Sequence, residues 1–236
     1  MRTYGQFCPI AVGAEIFAER WTPLIVRELF AGSSRFNDLQ RGLPRIPKAI
    51  LVQRLKTLQH FGVVERRIDA ELGSIGYYLT RAGQDLAELA VGLGDWARRW
   101  GQAEIAPERM DPDYLLWDIH RGIVIDRLPK ETVVAQIDLT GAHKRRYWLV
   151  MERPTPTLSQ LDPGLETDLV LTADTVALHR VWMGELDFAK ALMAGSITLE
   201  GPAELRRDFP SWLALGLFAH RDSAAALVGA ASSITG

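Results

Sequence analysis

The sequence holds a single cysteine, Cys8, among 236 residues. One cysteine excludes an internal disulfide framework and a zinc site built only from the cysteines of one chain. No apolar run approaches the roughly 18–20 uncharged residues that a membrane-spanning helix needs. The first residues also lack the long apolar stretch of a signal peptide. We therefore expect a cytoplasmic protein with no membrane partner.

Patterns typical of catalytic and cofactor-binding sites are also missing. The sequence has no glycine-rich phosphate loop and no nucleophile elbow. The histidines of the second half are scattered, without the i, i+4 pairing of a helical zinc site: His120, His143, His179 and His220. We therefore expect a protein that is not an enzyme and that has no cofactor or metal.

The net charge of −2 hides two halves of opposite sign. Residues 1–105 hold 14 Lys and Arg against 11 Asp and Glu, whereas residues 106–236 hold 13 against 18. Within residues 35–67 the count is 8 basic against 2 acidic side chains. Clustered cations bind phosphates well, because each neutralised phosphate releases counterions. A merely solvated basic face would give the same count, so the charge alone leaves both interpretations open.

Residues 9–42 predict three short helices. The first covers residues 9–20, with Pro9 in its first turn and with Ile10 and Phe17 on one face. Thr22 is a candidate cap for the second helix, which ends at Gly32. The third helix begins after Ser33 or Ser34. Short helices joined by short turns suit a compact DNA-binding fold.

The fourth predicted helix runs from Pro47 to about His60. Leu51, Leu55 and Leu58 fall together on its apolar face. The opposite face and its flanks carry no acid, and their residues are Lys48, Ala49, Val52, Gln53, Lys56, Gln59 and His60. Side chains such as Gln and Lys can bind base edges and phosphates without repelling the DNA backbone. This helix is a candidate recognition helix, with an ordinary solvated amphipathic helix as the alternative.

Two short strands follow, at residues 63–68 and 75–80, around a turn rich in Asp, Gly and Ser. A hairpin directly after a recognition helix is a wing. Arg66 and Arg67 on its first strand are candidates for phosphate contacts, whereas Asp69 and Glu71 near the tip argue against deep insertion into the minor groove.

Thr80 then caps a long helix with a continuous apolar stripe, made of Leu86, Leu89, Ala90, Leu93, Trp96, Ala97 and Trp100. Three short helices offer little to cover this stripe. A partner chain would cover it in a two-fold dimer, which suits palindromic DNA. Packing on the second domain is the alternative.

The first hundred residues resemble the HxlR family of bacterial winged-helix regulators. The motifs that carry the resemblance are spread in order over about ninety residues: Cys8-Pro9, Arg20-Trp21-Thr22, Gly32, Arg35-Phe36-Asn37-Asp38-Leu39, Leu51, Arg54-Leu55-Lys56, Leu58, Gly62-Val63-Val64-Glu65-Arg66, Tyr78-Leu79-Thr80, Gly83 and Trp96. One departure is Pro47, where the family commonly has a small hydroxyl residue.

The resemblance implies a homodimer that binds double-stranded operator DNA, with its recognition helices in successive major grooves. The implied DNA contacts, together with the second wing arginine, are Arg35, Lys48, Gln53, Arg54, Lys56, Arg66 and Arg67. Arg54 lies beside the buried face, so an ion pair with an acid is its alternative role. The expected dimer contacts lie on the first and last helices: Ile10, Phe17, Leu86, Leu89, Leu93, Trp96 and Trp100. Cys8 matches a position that some relatives use for redox sensing, and an inert half-buried thiol is the alternative.

A second domain is expected at residues 113–236, after a linker at 105–112. Residues 114–120 predict a helix, residues 132–139, 146–151 and 168–172 predict strands, and residues 175–183 predict another helix. The stretch 184–201, with its Ala191-Leu192 pair, Gly195 and Gly201, resembles the closing signature of sterol-carrier-protein-type domains. That resemblance implies a mostly antiparallel sheet packed on helices around an apolar tunnel.

The predicted fold class is therefore α+β, with a winged helix-turn-helix at residues 1–104 followed by the sterol-carrier-like domain. The candidates for lining the tunnel are the large apolar side chains Trp117, Trp148, Trp182, Phe188, Leu192, Leu213, Leu217 and Phe218. Burial in a filled core is the alternative for each of them.

The sequence therefore predicts a dimeric DNA-binding regulator controlled by a small hydrophobic ligand. Two alternatives stay open. The chain could be a carrier of lipids or other apolar molecules that does not bind specific DNA, or its second domain could only strengthen the dimer.

Overall fold

The computed structural model describes residues 3–68, 73–100 and 106–219, apart from the side chain of Arg109. Asp69, Glu71, His220 and the junction at residues 101–105 lie outside the described residues. The chain divides into two compact units, Met1–Gln102 and Ala103–Gly236. Each unit has its own hydrophobic core.

In its described residues, the first unit contains four short helices, a β-hairpin and a long helix. In chain order these are α1 (Pro9–Phe17), α2 (Thr22–Phe30), α3 (Phe36–Gly42), α4 (Lys48–His60), β1 (Val64–Ile68), β2 (Ile75–Leu79) and α5 (Arg81–Trp100). The two strands pair antiparallel. This order confirms the predicted helices and wing.

The apolar face of α4 lies in the core of the first unit. Leu51, Leu55 and Leu58 are fully buried. After α4 the chain turns at Gly62, which adopts a positive φ of 68°. Thr80 caps α5 as predicted, since its Oγ1 accepts a hydrogen bond of 3.1 Å from the backbone N–H of Gly83. A Cβ at Gly83 would lie 2.1 Å from the carbonyl oxygen of Val63, so α5 approaches the wing as closely as glycine allows.

The start of α2 differs from the prediction. Thr22 is not the cap but the first residue of the helix, and it is buried. Trp21 precedes the helix with a left-handed φ of 79°, a conformation that is uncommon for a bulky residue. The guanidinium of Arg20 lies 5.3 Å from the centroid of the Trp21 indole ring, and Trp21 also packs against the core. These contacts hold the turn in place without a side-chain cap.

A buried carboxylate of α2 lies against the end of α3. Glu28 is fully buried and forms an ion pair of 2.7 Å with Arg27 and a hydrogen bond of 3.2 Å from Ser33. A Cβ added to Gly42, at the end of α3, would lie only 1.8 Å from Glu28 Oε2. The close approach of α3 to this carboxylate therefore requires glycine at position 42.

The second unit contains four helices and a five-stranded sheet among its described residues. Its elements are α6 (Pro112–Arg121), β3 (Val133–Thr140), β4 (Arg145–Met151), β5 (Thr157–Ser159), β6 (Leu169–Asp174), α7 (Thr175–Trp182), α8 (Phe188–Met193), β7 (Ile197–Glu200) and α9 (Ala203–Asp208). Aspartates at 111, 174 and 187 cap α6, α7 and α8 through their carboxylates.

The strand order is β5-β4-β3-β6-β7. Only β3 and β6 are parallel, and the other neighbouring strands pair antiparallel. A mixed α+β fold with a mostly antiparallel sheet is thus confirmed, whereas the sterol-carrier likeness stays a prediction. The short strand β5 was not expected from the sequence, because three residues are too few for a periodic pattern.

Buried and less buried residues alternate along strands such as β3 and β6, so that one face of the sheet packs against the helices. Ala135, Ile137 and Leu139 of β3 are buried in this core, and Tyr147 and Leu149 of β4 lie beside them. No helix in the described ranges is long and apolar enough to cross a bilayer.

Candidate nucleic-acid interface and apolar pocket

The outer face of α4 is exposed and basic. Lys48, Gln53 and Lys56 are exposed, and the helix carries no Asp or Glu along its length. Thr57, beside this face, donates its hydroxyl to the carbonyl oxygen of Gln53 at 3.1 Å. The helix therefore presents cationic and amide groups, and no acid of its own, on one side, while its other side lies in the core.

Arg54 occupies a different position from the other candidates on α4. Only 17% of its side chain is exposed, and its Nη2 lies 2.6 Å from Glu19 Oε2. Glu19 belongs to the turn between α1 and α2. This contact favours the alternative that the sequence left open, an ion pair with an acid, and we leave Arg54 out of the proposed DNA contacts.

The remaining basic candidates lie at the start of α3 and on the wing. Arg35 is exposed at the residue before α3. Arg66 and Arg67 are both exposed on β1. Arg67 pairs with Glu65, and its guanidinium lies 5.0 Å from the ring centroid of Tyr78. Arg67 thus already has partners on the wing, which weakens it as a phosphate ligand relative to the other two.

Two helices of the first unit expose large apolar side chains. On α1 Ile10 is 82% exposed, and on α5 the exposed fractions are 62% for Leu89, 48% for Leu93, 59% for Trp96 and 64% for Trp100. Phe17 and Leu86 are half-buried. Of the stripe that the sequence predicted on α5, Leu86 and Ala90 therefore pack partly against the core of their own unit, whereas its outer residues stay uncovered by the described part of that unit.

The segment before α1 also exposes large aromatic side chains, which was not expected from the sequence. Tyr4 and Phe7 are exposed. Glu15 accepts hydrogen bonds from Thr3 Oγ1 at 2.7 Å and from the backbone N–H of Tyr4 at 2.6 Å. These two bonds lower the pKa of Glu15. They hold the segment beside α1. Cys8, just before α1, is a half-buried free thiol whose reactivity stays a prediction.

The second unit contains a pocket of about 270 Å³. Three of the eight predicted residues line it: Trp182, Phe188 and Leu213. The remaining wall is mostly apolar and comes from Ile119, Leu178, Val181, Gly184, Leu186, Asp187, Pro210, Ala214 and Leu215. The other five predicted residues do not line this pocket: Trp117, Trp148, Leu192, Leu217 and Phe218.

Two of those five show where large apolar side chains lie when they do not line this pocket. Trp117 is buried and stacks on His120, with ring centroids 5.2 Å apart. Trp148 pairs with Gln136 across the sheet and is only half-buried, while its neighbour Leu149 lies in the core. Both are large and apolar, but size and hydrophobicity do not say to which side of an element a residue is turned.

Trp182 is fixed firmly in the pocket wall. Its indole Nε1 donates to Asp118 Oδ2 at 2.7 Å. Its ring packs so close to Gly122 that a Cβ there would lie 2.2 Å from the ring, and Gly216 approaches it from another side. Burial lowers the pKa of nearby His179, against the opposing effect of Glu185 and Asp118. The described residues contain no group of three His, Cys, Asp or Glu side chains that could hold a metal ion.

Comparison with known proteins identifies the first unit. A family model described as HxlR-like helix-turn-helix matches residues 16–105. The chain is 34% identical over 112 residues to YvaP of Bacillus subtilis, an uncharacterized HTH-type transcriptional regulator, covering 47% of this chain and 95% of YvaP. It is 28% identical over 101 residues to sll1512 of Synechocystis, another such regulator, covering 42% and 75% of the two chains.

A solved structure is also similar. The reduced form of the transcriptional regulator YodB from B. subtilis shows 29% identity, covers 41% of this chain and 97% of its own, and has a TM-score of 0.36. Identity to YvaP above 30%, over nearly the whole of that regulator, decides the assignment. The chain belongs to the HxlR-like helix-turn-helix family.

Proposed function

We propose that this protein is a DNA-binding transcriptional regulator that acts as a homodimer. The observation that carries the proposal is the exposed face of α4, which presents Lys48, Gln53 and Lys56 without an acid in an HxlR-like fold. The relatives named above are HTH-type transcriptional regulators, which supports the same conclusion.

In this proposal α4 enters the major groove. A glutamine such as Gln53 can bind the N6 and N7 edge of adenine, and a lysine can bind guanine or a phosphate. Arg66 on the wing and Arg35 before α3 contact the backbone, which fixes the register of α4 but carries no base information. Specificity then depends mainly on Gln53 and Lys48, and sequence-independent affinity on Lys56 and the arginines.

The dimer forms through the exposed apolar side chains of α1 and α5. Contiguous apolar surface of this kind marks an interaction site. In a two-fold dimer the same patch meets its own copy, and the two recognition helices then bind half-sites about one helical turn apart. A palindromic operator follows from that symmetry.

Titration against DNA tests the proposal. The probe is the DNA upstream of the chain's own gene, measured by gel shift at several salt concentrations. Lys56→Ala and Arg66→Ala should each weaken binding, and each should reduce the slope of log affinity against log salt by about 0.9 for every phosphate that the variant no longer neutralises. Lys130→Ala, which removes an exposed lysine of the second unit, is the matched control. It should change neither the DNA affinity nor the salt slope. Failure of the wild-type chain to bind with sequence selectivity would end the regulator proposal.

We further propose that a small uncharged apolar molecule binds the pocket of the second unit and controls DNA binding. The pocket volume of about 270 Å³ lies just under the roughly 300 Å³ where drug-sized sites begin. The occupant is therefore small. Control requires that the ligand favour one dimer geometry over another, since equal affinity for both would shift nothing.

A filled-pocket variant tests this part separately. Calorimetry with 2-naphthol as the probe should show binding to the wild-type chain. Ala214→Leu adds bulk to the lining and should abolish binding, whereas Ala189→Leu, on the exposed side of α8 and outside the lining, should not. Naphthol binding without any change in DNA affinity would favour a carrier role for the second unit. No naphthol binding at all would favour a unit that only strengthens the dimer.

A further inference from the structure

Arg54 is the basic residue of α4 that does not face outward. Its side chain is 17% exposed, and Nη2 donates to Glu19 Oε2 at 2.6 Å. The two residues are separated by 35 positions in the sequence. A guanidinium held this way presents little surface to a phosphate. The ion pair instead joins the recognition helix to the turn that follows α1.

Few other contacts fix α1 on its own unit. Ala11 is the one residue of α1 that is buried, and Ile16 is the residue of this helix that packs partly buried against the core. The outer side of α1 presents Ile10 and Val12, which are 82% and 50% exposed. Because packing holds α1 so lightly, a charged hydrogen bond at its C-terminal end contributes much of what sets its direction relative to α4.

We propose that Arg54 is a positioning residue, which couples the dimer helix α1 to the recognition helix α4 through Glu19. The inference rests on the proposed function, in which α1 lies in the dimer interface and α4 binds the major groove. If α1 is fixed by the partner chain, the ion pair fixes the angle and separation of the two α4 helices. Arg54 thereby sets which half-site spacing the dimer accepts, without touching DNA.

Glu19→Gln separates this role from a direct phosphate contact. A phosphate-binding Arg54 would be released by removal of the acid, so DNA affinity would stay unchanged or rise. A positioning Arg54 loses its partner, so affinity for the natural upstream fragment should fall by about tenfold, as expected for a hydrogen bond between charged groups. Arg54→Gln should give a similar loss, and the double variant should lose no more than either single variant.

Two further readouts keep the test decisive if the variants fold poorly. The first is the salt slope, which should stay at the wild-type value in Arg54→Gln, because the variant still neutralises the same phosphates. The second is the ratio of affinities for the natural fragment and for one with two base pairs inserted at its centre. This ratio compares two sites for the same protein, so the folded fraction cancels. It should be large for the wild type and much smaller in both single variants.

The matched control is the exposed ion pair between Arg81 and Asp85 on α5, with an N–O distance of 3.3 Å. Arg81→Gln and Asp85→Asn should leave the affinity ratio at the wild-type value. An unchanged ratio in Glu19→Gln, or a salt slope reduced by about one in Arg54→Gln, would overturn the inference. A wild-type chain that binds no DNA would instead refute the proposed function, so the two failures are distinguishable.

Discussion

Leu89→Ala should weaken the proposed dimer substantially while leaving the fold of each chain intact. Leu89 lies on α5 with 62% of its surface exposed, in line with Leu93, Trp96 and Trp100. The core of the first unit does not include Leu89. Truncating its side chain therefore removes surface that the core of the first unit does not bury and that a partner buries in the proposed dimer.

The expected size of the effect follows from the exposed area. Burying a whole leucine side chain stabilises by roughly 1.5–3 kcal/mol. If the partner covers the 62% that is exposed in one chain, each protomer contributes about 1–2 kcal/mol. A two-fold interface contains Leu89 twice, so the dimer loses about 2–4 kcal/mol. At about 1.4 kcal/mol for each factor of ten, the dissociation constant rises roughly thirty- to several-hundred-fold.

Sedimentation velocity over a dilution series measures this constant. Leu161→Ala is the matched control, because Leu161 is 79% exposed but belongs to the second unit, outside the elements to which the dimer is assigned. Thermal unfolding of both variants at a concentration where the wild type is dimeric checks the fold. The reasoning is refuted if Leu89→Ala dimerises as well as Leu161→Ala, or if the wild-type chain stays monomeric throughout.

Three further predictions concern stability and are checked by thermal unfolding. Gly42→Ala should destabilise the first unit by about 1–3 kcal/mol, because the new methyl group must displace the buried carboxylate of Glu28. A neutral effect would show that Glu28 moves freely. Trp182→Phe removes the indole donor to Asp118 and should destabilise by about 1–3 kcal/mol, and an unchanged midpoint would mean that this bond contributes nothing. Burial raises the pKa of Tyr147 above its ordinary value, so the folded state favours the neutral hydroxyl. The neutral hydroxyl of Tyr147 contributes its full stabilisation of the fold below about pH 10, and this contribution is lost as the pH rises beyond that. In Tyr147→Phe, this part of the decrease in stability at high pH should be absent.

The sequence predicted the elements whose signals are local. The helix α4 was predicted from the spacing of Leu51, Leu55 and Leu58, and its end from Gly62. The cap of α2 was predicted wrongly, because the left-handed Trp21 before this helix is held by tertiary packing rather than by a capping side chain. Tertiary packing fixes the turn at Trp21, and the spacing of residue types along the sequence does not show such packing.

Local spacing also predicted which candidate residues of α4 are exposed, but it did not predict contacts between different elements. Lys48, Gln53 and Lys56 were predicted on the outer face of α4 from periodicity alone, and the structure exposes all three. The partner of Arg54, Glu19, lies in another element, and no rule of spacing joins the two. In the second unit, hydrophobicity selected Trp182, which lines the pocket, and also Trp117, which does not.

The net charge of −2 would argue against a nucleic-acid partner if it were used alone. Charges on a protein surface interact strongly only within the Debye length, about 8–10 Å at physiological salt. The outer face of α4 has no acid of its own, so the acidic excess of residues 106–236 acts on it only where those residues come within that distance. The salt slope of DNA binding counts the phosphates that are contacted, not the sum of all charges. A slope of several units in a chain with a negative net charge would therefore show that the local arrangement on α3, α4 and the wing determines binding.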